Sequence, residues 1–304
     1  MMNIKKYAAI DIGSNAMRIL IANIIEETGK PTQFNKSHLI RVPIRLGQDA
    51  FTVGEISEEN AQRMVKAMQA FKLLMEVYKV EKYAACATSA MREAYNGKEL
   101  VEEIAEKTDI KIDIIDGKTE AAIIANSDLA SYIKKDGHYL YVDVGGGSTE
   151  FTLFSNGKQV VSKSFKNGTV RLLNNMVTES VWVEIEKWIK QITQGLDQVE
   201  LIGSGGNINK ISKMSGKSNE KPLTFSYLTQ RLKYLSSLSY EERIYTLGLN
   251  TDRADVIIPA LKIYVQAMRW SNAKSIYVPK IGLSDGIVKA MYFENAKINI
   301  NKIL

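Results

Sequence analysis

The sequence predicts an α/β protein made of two related halves. Two observations carry that reading. Strand-like apolar runs alternate with stretches of helical period along the 304 residues, which indicates mixed sheets covered by helices. In addition, one unusual unit occurs twice: a strand, an Asp-x-Gly turn with small polar residues, a second strand, and a turn with glycine. The first copy is Asp11-Ile12-Gly13-Ser14-Asn15, between Tyr7–Ile10 and Ile19–Ile25. The second is Asp143-Val144-Gly145-Gly146-Gly147-Ser148-Thr149-Glu150, between Tyr139–Val142 and Phe151–Phe154. The copies lie about one domain length apart, so the expectation is two halves facing each other across a cleft.

The remaining elements follow in order. A third strand is expected over Phe34 to Leu46. Ser57 is placed to cap a helix from Glu58 to Tyr78, whose Ala61, Met64, Val65, Met68, Phe71, Leu74 and Met75 form one apolar face. A strand over Tyr83 to Thr88 breaks at Ser89-Ala90-Met91-Arg92. Leu100 to Lys107 reads as helix, Ile110 to Ile115 as strand, and Asp116-Gly117-Lys118-Thr119-Glu120 opens a helix over Ala121 to Ile133. In the second half, Phe165 to Leu172 leads from a strand into a short helix, and Val181 to Ile192 is amphipathic. Leu201 to Asn207 is a strand followed by a glycine turn at a helix start, a site type that can hold phosphate. A helix through Met268, a strand over Ser275 to Val278 and the segment Gly282 to Ile287 finish the chain.

The repeated turn carries the chemistry. Successive glycines let backbone N–H groups approach an anion, and Ser148 and Thr149 add hydroxyls. A carboxylate beside a phosphate cradle is repulsive unless a cation lies between them, so the unit points to phosphate with a divalent metal, Mg2+ held largely through its own waters. Arg92, just after a buried strand, can aim a fork of donors at an anion. Glu120 lies in the first turn of a helix, where the helix dipole favours a carboxylate in any protein.

Composition narrows the classes. An apolar fraction of 45% and a charged fraction of 24% are those of a globular protein. A single cysteine, Cys86, excludes an intrachain disulfide framework and reads as a buried small residue rather than a nucleophile. No run is long enough to span a membrane and no signal-peptide pattern opens the chain, so no membrane partner is expected and the cytoplasm is the expected location. The net charge of +6 suits a polyanion, but the cluster Lys210, Lys213, Lys217 and Lys221 lacks interleaved aromatic residues. It reads as a solvated loop, and no nucleic acid is expected. A homodimer is left open.

Taken together, Asp11 to Asn15 with Arg18, Arg45-Leu46-Gly47, Ala87 to Ala94, Gly117 to Ala121, Asp143 to Glu150, Gly203 to Gly206 and Arg253 to Ile257 resemble the exopolyphosphatase / guanosine pentaphosphate phosphohydrolase (Ppx/GppA) family. The pieces occur in family order over nearly the whole chain. The resemblance implies two actin-like (ribonuclease H-like) domains of the actin–sugar kinase–Hsp70 superfamily with an interdomain cleft, divided as residues 1–117 and 118–304. The final helix packing back on the first domain is an alternative. It implies Mg2+-dependent hydrolysis of inorganic polyphosphate or pppGpp. Glu120 matches the general base. Asp11, Asp143 and Glu150 match carboxylates near the metal, and Gly13, Ser14, Asn15, Arg18, Arg92, Gly145, Gly146, Gly147, Ser148 and Gly205 fall at phosphate-binding positions.

Three departures are visible. Thr119 stands where the family commonly has a glutamate, Ala16 where it has a serine, and Gly282-Leu283-Ser284-Asp285-Gly286 where it has Gly-Leu-Arg-Glu-Gly. The chain matches the short form of the family, lacking the C-terminal region related to HD-type phosphohydrolases, which leaves shorter phosphate chains or a nucleotide open as substrates. A superfamily kinase and a non-catalytic polyphosphate or ppGpp sensor are the competing expectations.

Overall fold

The computed structural model describes residues 2–125, 127, 129, 132–218 and 221–293. The chain folds as two units, Met1–Ser127 with Leu283–Leu304, and Asp128–Gly282. Each is described by itself.

The first unit is built on β1 (Met2–Ile12), β2 (Met17–Glu27) and β3 (Gln33–Val42), an antiparallel meander joined by short turns. The chain then crosses over through α1 (Leu46–Thr52) and α2 (Glu58–Val77) to β4 (Lys82–Ala87), which lies parallel to β1. A second crossover, α3 (Ser89–Glu93) and α4 (Gly97–Thr108), leads to β5 (Ile112–Ile114), parallel to β4, and then to α5 (Gly117–Ala125). Parallel pairing needs such long connections, whereas the meander needs only turns. The sheet order is β3-β2-β1-β4-β5. The central strands read as nearly continuous apolar runs because both faces are covered; Ala8 through Ile12 of β1 are all buried.

The second unit repeats the plan with β6 (His138–Val144), β7 (Thr149–Ser155) and β8 (Lys158–Phe165), then α6 (Thr169–Leu173), α7 (Glu179–Thr193) and β9 (Glu200–Ser204). Four helices, α8 (Gly206–Met214), α9 (Phe225–Ser237), α10 (Tyr240–Tyr245) and α11 (Thr251–Ala254), lead to α12 (Ile257–Trp270) and β11 (Ser275–Tyr277); the two-residue β10 (Leu223–Thr224) lies ahead of α9. The sheet runs β10-β11-β9-β6-β7-β8, with β9 parallel to β6 and β11 parallel to β9. Apart from the added β10 edge, this is the order of the first sheet. Even the irregularity recurs, as a register shift between Ile21 and Ala22 against β3 and between Leu153 and Phe154 against β8. α12 supplies Ala260, Leu261, Ile263, Tyr264, Ala267 and Met268 to the apolar core of this unit.

The division falls after Ser127 rather than after Gly117, and the last helix, α13 (Leu283–Phe293), belongs to the first unit. The reason is packing: α13 lies on β1, β2, β4 and α5. A Cβ on Gly286 would lie 2.3 Å from the Ile123 carbonyl oxygen, so only glycine admits α5 at this distance. The Tyr292 hydroxyl also donates to Glu26 at 2.7 Å, and Lys36 pairs with Asp285 at 2.8 Å. Two local expectations differ as well. The strand expected over residues 34–46 ends at Val42, because Arg45 adopts a left-handed conformation (φ 65°) and Leu46 begins α1. The helix expected over 121–133 is described as far as Ala125; residues 126, 128, 130 and 131 lie outside the described set.

Candidate active site

Both Asp-x-Gly turns close with the same hydrogen bond. Gly13 N–H donates to the Ala16 carbonyl at 3.2 Å, and Gly145 N–H to the Ser148 carbonyl at 3.0 Å. The flanking strands pair in the same register, Asp11 with Arg18 and Ile12 with Met17, Asp143 with Glu150 and Val144 with Thr149. Ser14-Asn15 and Gly146-Gly147 therefore occupy equivalent places at the two turn tips.

In each unit the segment after the third strand returns to hold the tip by its carbonyls. Gly47 N–H donates to the Ser14 carbonyl at 2.7 Å and Arg45 N–H to that of Asn15 at 3.0 Å. In the second unit, Thr169 N–H donates to Gly145 at 3.0 Å and Val170 N–H to Gly146 at 2.9 Å, while the Arg171 Nε–H donates to Gly147 at 2.8 Å. The approach is so close that a Cβ on Gly168 would lie 2.2 Å from the Gly146 oxygen. No peptide bond among the described residues is cis, and a trans peptide points its N–H away from its C=O. The N–H groups of Gly146, Gly147 and Ser148 are thus turned to the side opposite α6, as are those of Asn15 and Ala16 opposite the start of α1. A row of amides with tied-back carbonyls is an anion-binding surface.

The carboxylates differ between the copies. Asp11 and Arg18, expected as metal ligand and phosphate ligand, are each other's partner at 2.8 Å, and Asp11 is buried. In the second unit the cross-strand partner of Asp143 is another acid, Glu150, which is 3% exposed and accepts from Ser148 at 2.6 Å and from Ser164 at 2.8 Å. Among the described residues no group of three or more His, Cys, Asp or Glu side chains is arranged to hold a metal. Two carboxylates on one sheet face, completed by water and phosphate oxygens, are nevertheless the donor set that suits Mg2+. That pair fits a hard cation better than Asp11, whose charge Arg18 already offsets.

Gly205 lies beside the same pair. Its φ of +117° and ψ of 156° are open only to glycine, and a Cβ there would lie 3.6 Å from Asp143 Oδ1. The buried Tyr264 hydroxyl donates to the Ser204 carbonyl just ahead of it and fixes that peptide. Burial, with the Asp143 charge adding, pushes the Tyr264 phenol far above its ordinary range, which keeps it a donor.

Glu120 lies one turn into α5, half-buried, its N–H bonded to the Asp116 carbonyl at 2.9 Å. Asp116 caps the helix by accepting from Thr119 N–H at 2.7 Å. Arg92 spends one donor on the Ile115 carbonyl at 2.7 Å, so it braces the start of the helix that carries Glu120. Cys86 stands between Asp11 of β1 and Asp113 of β5 in one row across the sheet. Burial pushes its thiol up to about 12, with Asp113, Asp11 and Glu120 contributing in that order. Buried and with its thiol pushed up, Cys86 is poorly suited to act as a nucleophile.

The first unit thus holds Asp11, Arg18, Gly13, Ser14 and Asn15 at its turn, with Arg92 of α3 bonded just ahead of α5, where Glu120 lies. The second brings together Asp143, Gly145, Gly146, Gly147, Ser148, Glu150 and Gly205. Sequence reasoning assigns nothing to Gly168, Thr169, Arg171, Tyr264 or Asp113. A strand running through Asn167-Gly168-Thr169 into a short helix is the only available signal for the first three.

The family model described as the Ppx/GppA phosphatase family matches residues 28–293. The chain belongs to the Ppx/GppA phosphatase family. Over 278 residues it is 30% identical to a bifunctional 3-dehydroquinate synthase/phosphatase of Fusobacterium nucleatum, which covers 83% of this chain and 41% of that protein. The chain thus spans less than half of that relative. It is 25% identical to a putative exopolyphosphatase of Haemophilus influenzae, covering 89% of this chain and 88% of the relative. It is also 25% identical to a guanosine-5'-triphosphate,3'-diphosphate pyrophosphatase of Photobacterium profundum, covering 94% and 59%. The crystal structure of an exopolyphosphatase from Cytophaga hutchinsonii superposes with a TM-score of 0.83 at 22% identity, covering 97% of this chain and 99% of that one. At that identity the likeness shows the fold. In this Ppx/GppA chain the family's fold carries the two turns, their carboxylates and Glu120.

Proposed function

We propose that this Ppx/GppA chain is an exopolyphosphatase, releasing the terminal phosphate of inorganic polyphosphate by direct in-line attack of water. The observation that carries the reading is the turn Gly145 to Ser148: the carbonyls of Gly145, Gly146 and Gly147 are held on one side, so the amides of Gly146, Gly147 and Ser148 face the other. Those amides hold phosphoryl oxygens, where charge grows as the leaving group departs, and the amides of Asn15 and Ala16 form the equivalent cradle of the first unit. Glu120 orients the water and takes its proton. Arg92 steadies the helix of Glu120 and offers its remaining donors to phosphate. Asp143 and Glu150 would hold Mg2+, which when bound supplies charge stabilisation to the phosphoryl and leaving oxygens. No serine, histidine or cysteine nucleophile enters, in keeping with the inert Cys86 thiol.

A second reading, a phosphohydrolase acting on pppGpp, is supported by the name of the Photobacterium relative. The same phosphate cradle serves both, because each substrate ends in a phosphoanhydride. The deciding experiment is phosphate release from polyphosphates of defined length and from pppGpp, with and without Mg2+. Faster release from polyphosphate supports the first reading and faster release from pppGpp the second. Mg2+-independent turnover removes the role given to Asp143 and Glu150, and no release from either substrate overturns the hydrolase reading. A cytoplasmic location and a homodimer belong to the same proposal; cell fractionation and the solution mass of the purified protein test them.

A further inference from the structure

We infer that Arg171 is the positioning residue of the phosphate turn: through its Nε–H it sets the orientation of the Gly147–Ser148 peptide and hence the affinity of the turn for phosphate oxygens. The inference rests on the phosphate-binding reading above and goes beyond it by naming what holds the cradle in its binding shape.

Three successive glycines form the turn. Their freedom lets the turn bind an anion, but it also lets each peptide plane rotate, and a rotated plane presents a carbonyl to the phosphate instead of an amide. Preorganisation therefore requires that every plane be tied. Two planes are tied by backbone, through Thr169 N–H and Val170 N–H at the start of α6. The third is tied by a side chain, Arg171, at 2.8 Å. The first unit shows the alternative solution: there the equivalent plane, after Asn15, is tied by a backbone N–H, that of Arg45. Only in the second unit does this bond depend on a side chain that mutation can remove.

Arg171 suits the task because it is only 8% exposed, so solvent does not compete for its donor. Its guanidinium is planar and permanently charged, which gives a charge-assisted bond of fixed direction. The same cation stands behind the turn, on the side its carbonyls face, and reinforces the polarity of the amide row. Arg171 does not touch the reacting atoms in this account; it acts through Gly147.

The test reads the turn directly. Amide resonances of Gly146, Gly147 and Ser148 are followed by heteronuclear NMR while inorganic pyrophosphate is titrated into the native protein, Arg171→Gln and Arg171→Lys. The native amides shift on binding. Arg171→Gln binds about tenfold more weakly, as expected for losing one charge-assisted hydrogen bond, with unchanged resonances in the first unit and an unchanged pH profile of turnover. Arg171→Lys, which can still donate to a carbonyl, recovers part of the affinity. Equal pyrophosphate affinity and equal amide shifts in the native protein and Arg171→Gln overturn the inference and leave the phosphate reading standing. Native amides that ignore pyrophosphate overturn the phosphate reading, and the inference with it.

Thr169→Pro gives a second measurement should Arg171→Gln not fold. It removes the N–H that ties the Gly145 carbonyl, together with the buried Thr169 hydroxyl. Thr169 is the first residue of α6, and Gly168 has φ −96° and ψ 166°, so the local backbone accepts proline. A folded Thr169→Pro with weakened pyrophosphate binding supports control of the turn by its carbonyl ties; native affinity in that variant overturns it.

Discussion

Asp143 and Glu150 face each other across β6 and β7 at the register position where Asp11 faces Arg18 across β1 and β2. One fold unit therefore pairs its aspartate with an arginine across the strands, and the other places a second carboxylate there. Like charges placed directly opposite in a sheet destabilise it by about 0.2–1 kcal/mol, and more when buried. Hydroxyls of Ser148 and Ser164 offset part of this at Glu150, and the Tyr141 hydroxyl donates to Asp143 at 3.5 Å.

Glu150→Gln accordingly raises the melting temperature in the absence of divalent cations, by up to about 4 °C for a pair of that strength in a domain of this size. Added Mg2+ stabilises the native protein and stabilises Glu150→Gln much less. Thermal melts of both proteins over a range of Mg2+ concentrations measure this. An equal Mg2+ shift in the two would remove Glu150 from the cation site.

Glu120→Gln keeps the side-chain volume and removes the proton acceptor. Turnover falls by about 10²–10⁴-fold, the usual range for a positioned general base, while substrate affinity stays near the native value. Single-turnover phosphate release, with binding measured separately, resolves the two effects. Near-normal release by this variant would show that another group takes the proton.

Much of this is legible in the chain, and the reasons are physical. Asp11 to Asn15 and Asp143 to Glu150 stand between alternating apolar runs, so hairpins with glycine tips are readable from pattern alone, and the two sheets bear this out in order and register. Arg18 is placed at a phosphate-binding position by the family resemblance; its pairing with Asp11 depends on register, which no single strand displays. The carbonyl ties from Arg45, Gly47, Thr169 and Arg171 are hidden there because they are directed at backbone and come from residues farther along the chain. The sequence leaves the final helix open to either half, and Gly286 against Ile123 and Tyr292 on Glu26 bring it to the first unit. Packing decides between the two.

Gly168→Ala tests the closeness of the α6 start to the turn. The added methyl would sit 2.2 Å from the Gly146 oxygen and 2.4 Å from the Gly147 carbonyl carbon, atoms of backbone that cannot swing aside as a flexible side chain can. The turn must shift, at an expected stability loss of about 1–3 kcal/mol, and turnover falls with it. Gly282→Ala is the matched control, since a Cβ there meets nothing within 4 Å. Melting temperatures and turnover of the two variants check this; equal effects would mean that the contact at Gly168 constrains nothing.

Asp113 supplies the pH dependence. It is the cross-strand partner of Cys86, which in turn partners Asp11, and burial raises its carboxyl above the ordinary value of 3.8. With the folded pKa higher than the unfolded one, the folded state binds the proton more tightly. The stability this contributes is full below pH 3.8 and is lost as pH rises through the folded value. At neutral pH the folded protein therefore carries the cost of a partly buried charge. Asp113→Asn removes that cost, so it melts above the native protein at pH 7, and the gap closes towards pH 3. Melting curves of both proteins across that range measure it; a native protein more stable than Asp113→Asn at pH 7 would mean that the charged carboxylate is held by a partner whose attraction exceeds the cost of its burial.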